Sequence, residues 1–153
     1  HVSAAICAGD VELGFSASVV QVDRSLRGTA GCGGGFYVPL LQGLGNGELV
    51  LRYRHLRALD ELEILGGMTW QPGHFSTAIY PYAGVLAGVR QEWVGSFETA
   101  RTPVGIQMGV RILISESSLI RCGLHALRVL GDPVEDFTEW EFVLGIALLI
   151  HPK

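Results

Sequence analysis

Charge is scarce in this 153-residue chain: Asp, Glu, Lys and Arg make up 17%, below the roughly 25% of an ordinary soluble domain. No basic run occurs. With a net charge of -4 and a pI near 5.7, the composition argues against nucleic acid or anionic headgroups as the main partner. Long apolar runs are missing too. The longest stretch without a charged residue, Ile64 to Val89, is broken by Pro72, Gly73 and Pro81, so nothing reads as a membrane helix. Cysteine is limited to Cys7, Cys32 and Cys122, whose spacing fits neither a metal site nor a disulfide framework. The odd count leaves at least one thiol free or paired between chains. The chain opens at His1 with no charged-then-apolar leader, as expected once an export signal has been removed.

What is present is apolarity without helices to hold it. Hydrophobic residues reach 48% and the mean hydropathy is +0.35, in a length that suits one domain. The excess is distributed by alternation, the period of a strand whose two faces meet different surroundings. Eight such runs occur. The sixth sets Val104, Ile106, Met108, Val110 and Ile112 against Gly105, Gln107, Gly109 and Arg111; the eighth sets Trp140 through Ile150 against Glu139, Glu141 and Val143. The first carries Leu13, Phe15, Ala17 and Val19 on its apolar face, the third Leu49, Leu51 and Tyr53, the fourth Leu62, Ile64, Met68 and Trp70, and the fifth Ala83, Val85, Ala87 and Val89. The second and seventh are weaker, with Ala30, Cys32, Phe36 and Val38, and Ile120, Cys122, Leu124 and Ala126. Turn-rich connections are expected at Asp23 to Gly28, Gln42 to Gly47, Ala58 to Asp60, Pro72 to Thr77, Gly95 to Pro103, Ser115 to Ser118 and Gly131 to Phe137. All are short enough for hairpins, which gives an up-and-down meander. Residues 1–10 form an N-terminal extension and residues 11–153 the domain.

The charges then sort by face. Glu12, Glu48, Arg52, Arg54, Glu61, Glu63, Arg90, Glu92, Arg111, Arg121, Glu139 and Glu141 all fall on the less apolar side, and none interrupts the middle of the apolar one. Glycines such as Gly14, Gly33, Gly84, Gly105 and Gly145 share the charged side. Small residues belong where a narrow barrel must fit side chains inside, so the charged face is assigned to the interior. The predicted fold is all-β: a closed eight-stranded antiparallel up-and-down barrel with an apolar exterior and a charged interior. Closure satisfies the backbone and leaves no edge, as a membrane requires. Trp70, Trp93 and Trp140 lie near strand ends, where interfacial rings are expected.

The stretch from Tyr80 to Lys153, with "YPYAGVLAGVRQEW", "PVGIQMGVRILISESSLIRCGLHALRV" and "TEWEFVLGIALLI", resembles the last four strands of the small outer-membrane β-barrel family that includes the OmpA transmembrane domain and OmpX. The resemblance implies the same eight-stranded membrane barrel and an outer-membrane location, with lipid as the partner. It rests on alternation with Gly-x-Gly spacing and carries no set of active residues. The ending "LIHPK" and the short connections depart from the family.

The interior charges, joined by His125 on the same face, are expected to pair across a narrow lumen and hold it shut, giving a protein with a structural or anchoring role. Two other readings stay open. One is an exported barrel that self-assembles into an extracellular fibre or tube, residues 1–10 docking on a neighbouring copy and Cys7 linked to Cys32 or Cys122 of that copy. The other is a lipid-modifying barrel enzyme, which needs Ser, His and a carboxylate within reach; Ser96, Ser115, Ser117 and Ser118 have no histidine in a matching pattern. No cofactor or metal is expected. The "GCGGG" of Gly31 to Gly35 lacks the lysine and strand-to-helix setting of a phosphate loop and reads as small interior volume.

Overall fold

The computed structural model describes residues 5–22, 25–40, 43–56, 59–72, 78–131 and 136–152. Eight strands follow one another: β1 Val11–Val22, β2 Ser25–Leu40, β3 Gly43–Leu56, β4 Leu59–Gln71, β5 Ile79–Val94, β6 Phe97–Ser115, β7 Ser118–Leu130 and β8 Phe137–Ile150. Each pairs antiparallel with the next, and β8 returns to β1 from Val11↔Ile150 to Val22↔Glu139, closing the barrel. The meander needs only hairpins because every strand's partner is its neighbour in sequence. One end of the barrel holds both termini; the β1–β2, β3–β4, β5–β6 and β7–β8 connections lie at the other.

Alternation places side chains as the sequence pattern requires. Phe15, Leu49, Val85, Ile106, Leu144, Ile146 and Leu148 are exposed, whereas Glu12, Arg52, Arg90, Arg111, Glu139 and Glu141 are buried in the lumen. In β5 and β6 the ladder skips Gly88 and Val89 opposite Thr102 and Pro103, then resumes in the same register at Arg90↔Arg101. Pro103 has no N–H to give there, and the barrel tolerates the gap because both flanks are paired.

Three expectations are corrected. Of the turn expected at Gln42 to Gly47, the described residues Gly43 to Gly47 are strand: β3 begins at Gly43, and Asn46 and Gly47 pair with Tyr37 and Phe36. Gly95 to Pro103 shrinks to Gly95 and Ser96, with Gly95 in the left-handed region (φ 60) that a two-residue hairpin demands. Strand residues likewise fill Ser25 to Gly28. In each case ladder pairing overrides local turn propensity. Ser115 to Ser118 is the β6–β7 turn, as expected; the other turn expectations fall in part on residues 23–24, 57–58, 73–77 and 132–135, outside the described residues.

The N-terminal extension adds a further correction to these three. Val11 does begin β1, but residues 5–10 are not without cover in their own chain. Ile6 is buried among Tyr37, Tyr80, Leu113, Leu119, Ala147 and Leu149 at the terminal mouth of the lumen. Gly9 N–H donates to the Tyr37 carbonyl at 2.7 Å, and Tyr37 N–H to the Asp10 carbonyl at 3.0 Å. The premise that a neighbouring copy must cover this segment therefore fails.

Interior glycines set how closely the strands pack. A Cβ on Gly105 would stand 2.0 Å from the Ala126 carbonyl oxygen, and one on Gly88 2.0 Å from that of Ile64, both rigid backbone. Gly47 has open space instead. Gly105→Val is therefore expected to destabilise the barrel by about 1–3 kcal/mol or more, while Gly47→Ala stays near neutral. Urea unfolding followed by tryptophan fluorescence checks this; equal midpoints for the two variants would refute the packing argument.

Candidate functional site: the charged lumen

The interior charges form two groups, one nearer each mouth. Toward the termini, Arg111 is fully buried. Its Nε lies 3.0 Å from Glu12 Oε2, Nη1 2.9 Å from Gln71 Oε1 and Nη2 3.3 Å from Thr69 Oγ1. Tyr37 donates its hydroxyl to the same Glu12 oxygen. Arg121 grips Glu48 with both terminal nitrogens, at 2.6 and 3.1 Å, and reaches Gln107 Oε1 at 2.8 Å. The Gln107 amide in turn donates to Glu48.

The register sets Arg111 directly opposite Arg121 across β6 and β7, an arrangement that repels unless neutralised. Tyr82 stands between them. Its ring centroid is 4.3 Å from the Arg111 guanidinium carbon and 5.0 Å from that of Arg121, and its hydroxyl accepts from Arg121 Nε at 3.1 Å. The ring face and the two carboxylates together hold the cation pair.

Toward the other mouth the links cross the lumen. Arg90 of β5 binds Glu139 of β8 through two nitrogens, at 2.8 and 2.6 Å, and Glu63 of β4 at 2.7 Å. Arg52 of β3 meets Glu141 of β8 at 2.6 Å and Glu63 at 3.2 Å. Arg54 pairs with Glu61 at 2.7 Å and donates from Nε to the Thr29 hydroxyl oxygen at 2.9 Å. Val50, Leu65 and Leu86 fall between the two groups along β3, β4 and β5, and Leu127 of β7 joins their cluster. The aliphatic side chains leave the charges a dry boundary, where paired carboxylate and guanidinium interact more strongly than in water.

His125 Nδ1 lies 2.9 Å from Arg52 Nη2 and 3.0 Å from Glu141 Oε2. One tautomer serves each neighbour: a protonated Nδ1 donates to Glu141, a bare one accepts from Arg52. Ser18 donates to the other Glu141 oxygen at 2.5 Å. The carboxylate thus sits between serine and histidine, whereas nucleophile activation needs the histidine in the middle. Ser115 and Ser118 bond to each other at 2.5 Å in the β6–β7 turn.

Of the residues expected in the network, Glu92 is the most peripheral; it binds Arg101 at 3.0 Å. Arg101, placed in a connection by its sequence surroundings, is an interior residue of β6 stacked over Phe137 at 5.4 Å. Tyr37 was hidden because an aromatic between Phe36 and Val38 reads as more apolar strand, although its alternation points inward. The cysteines are dispersed: Cys7 is exposed beside the terminal mouth, while Cys32 and Cys122 face outward on β2 and β7. All are free thiols. Tyr37, the anchor of the Cys7 segment, is five residues along β2 from Cys32, about 17 Å of strand, so the two thiols do not meet within one chain.

No protein-family model matches the chain, and no curated protein sequence matches it. Solved structures do. Neisserial surface protein A aligns with a TM-score of 0.68 at 11% identity, covering 91% of this chain and 95% of that one. The N-terminal β-barrel domain of Pseudomonas aeruginosa OprF gives 0.65 at 15%, covering 94% and 98%. The outer membrane protein OprG from Pseudomonas aeruginosa gives 0.59 at 12%, covering 95% and 97%. The fold is that of the small eight-stranded outer-membrane barrels, the architecture the resemblance implied.

Arg90 holds carboxylates from two strands with no water-facing alternative. Arg90→Met is expected to cost about 3–5 kcal/mol, because it takes the closest cation from two buried carboxylates and leaves Glu63 only Arg52 at 3.2 Å and Glu139 only Arg54 at 3.6 Å. Adding Glu139→Gln should recover part of that loss. Denaturant midpoints for the single and double variants measure the coupling; strict additivity would show that the ion pair contributes nothing.

Proposed function

We propose that the chain is an outer-membrane barrel protein with a structural or anchoring role, its lumen closed by the ion pairs described above. The observation that carries this is the combination of cross-lumen Arg–Glu links with exposed apolar side chains on the opposite strand face. Along β8 the outward set runs from Trp140 to Ile150 without a charged residue. Ten residues of tilted strand span about 25 Å along the barrel axis, the height of the apolar band of a membrane barrel.

The outward polar groups collect beyond that band, at the end opposite the termini. His55 pairs with Asp60 at 2.6 Å, Gln91 with Glu98 at 2.7 Å and Arg128 with Asp136 at 3.4 Å. Such a rim suits headgroups and water, and Tyr53, Trp93 and Trp140 lie among or just inside it. An eight-stranded barrel leaves room inside only for side chains, and here those side chains are bonded to one another across the gap.

Two measurements test this. The native protein should fractionate with outer membrane, and the purified protein should float with lipid vesicles and need detergent in their absence. Reconstituted in planar bilayers it should give no steady conductance; a stable single-channel current would overturn the closed lumen, and a detergent-free soluble monomer would overturn the membrane placement.

A further inference from the structure

We propose that residues 5–10 form a lid over the terminal mouth of the lumen, latched by His151 acting as an imidazolium between Asp10 and the β6–β7 turn, and released as pH rises. The segment is built to sit there. Ile6 fills the apolar collar of Tyr37, Tyr80, Leu113, Leu119, Ala147 and Leu149. Asp10, itself buried, turns the chain: its Oδ2 accepts from Cys7 N–H at 2.7 Å, and its own N–H donates to the Cys7 carbonyl at 3.2 Å. Gly9 takes the left-handed conformation (φ 95) that this reversal requires.

The latch closes on the other Asp10 oxygen. His151 Nδ1 lies 2.8 Å from Asp10 Oδ1, and His151 Nε2 lies 2.8 Å from the Glu116 carbonyl oxygen. Neither partner has a proton to give, since one is a carboxylate and the other a backbone carbonyl. Both ring nitrogens must therefore donate, and only the protonated ring does so. The contact ties three parts of the mouth together: the lid, the residue after β8, and the turn between β6 and β7. Ser117 adds a second tie, its carbonyl accepting from Leu149 N–H at 2.9 Å.

Among the described residues, the charged groups facing His151 are Asp10 from the lid and Glu116 from the turn; Lys153 lies outside the described residues. Both favour the charged ring. The His151 pKa accordingly lies above its ordinary value of 6.5, the Glu116 carbonyl being the larger cause and Asp10 the second. A pKa raised in the folded state means that the latch contributes fully below the unfolded value and is lost as pH climbs through the folded one. Deprotonation removes one of the two hydrogen bonds. The lid then keeps Ile6 in its collar and the backbone bonds of Gly9 and Asp10 to Tyr37, but loses the full tie to the β6–β7 turn and the end of β8.

The test uses the native thiol on the lid. In a Cys32→Ser, Cys122→Ser protein, a nitroxide on Cys7 reports the mobility of the segment in detergent micelles or vesicles. The spectrum should be immobilised near about pH 5.5 and lose its immobile component toward about pH 9, with a midpoint above the ordinary histidine value. His151→Ala should be mobile at both pH values, and Ile6→Ser should be mobile without pH dependence. Nitrogen NMR of His151 should show both ring nitrogens protonated at the lower pH. Unchanged mobility in the parent across this range, or the same pH response in His151→Ala, would overturn the latch. Because the readout works in micelles, its failure leaves the membrane reading untouched, and an unchanged gel mobility of the folded form across the range confirms that the loosening is local.

Discussion

Every interior charge of this barrel must find its counterion across or along a lumen just wide enough for side chains to fill. That constraint organises the rest. Water cannot screen Arg90 or Arg111, so each guanidinium is held by at least one carboxylate and further acceptors: Glu63 and Glu139 for the first, Glu12, Gln71 and Thr69 for the second. Strands distant in sequence are thereby joined through the middle of the barrel as well as around its wall. The backbone ladder alone would leave a hollow tube; the ion pairs brace it from within.

The same constraint explains why the barrel needs glycine on its inner face. Arginine and tyrosine are the longest interior side chains, and they can lean over the wall only where an adjoining strand gives way. At Gly31 a Cβ would lie 3.1 Å from Arg52 Cγ, and at Gly109 and Gly123 it would press on the Tyr82 hydroxyl at 2.7 and 2.4 Å. Tyr82 separates the two facing arginines, so those glycines make room for the group that neutralises the repulsion between β6 and β7. Alternating large and absent side chains is thus the packing rule of the lumen.

Much of this was legible in the sequence because a period of two needs no knowledge of partners. Val104 to Ile112 and Trp140 to Ile150 declare their faces by alternation alone, and the charges of the opposite face follow. Pairing was not legible. Nothing local tells Arg90 that Glu139 lies opposite, since that contact depends on the stagger accumulated around the wall. Strand ends were obscured for a related reason: Asn46-Gly47 is a strong turn signal in isolation, but here it carries ladder bonds to β2 and β4. Arg101 was lost with the turn around it. Residues 5–10 were misplaced because a meander of eight strands counts edges and ignores mouths, and Ile6 fills a mouth.

An apolar core of similar volume would also fill this lumen, and replacing buried ion pairs with hydrophobic residues is often neutral for stability. What the charges add is a penalty on the wrong fold. Side chains alternate between faces, so a one-residue slip of any strand sends its interior set outward. In the membrane setting proposed above, such a slip with an aliphatic interior would leave apolar groups facing lipid and cost little. Here a slip of β3 would carry Arg52 into the apolar band and Arg54 to its edge, where an arginine at the midplane costs about 2–4 kcal/mol and one nearer the rim less, and would take from Glu61 and Glu141 their nearest guanidinium. A slip of β5 or β8 breaks the Arg90–Glu139 link from one side or the other. The register errors that a two-sided apolar barrel would tolerate are each made expensive by several residues at once, so the ion-pair network fixes which face is inside at the same time as it fills the space there.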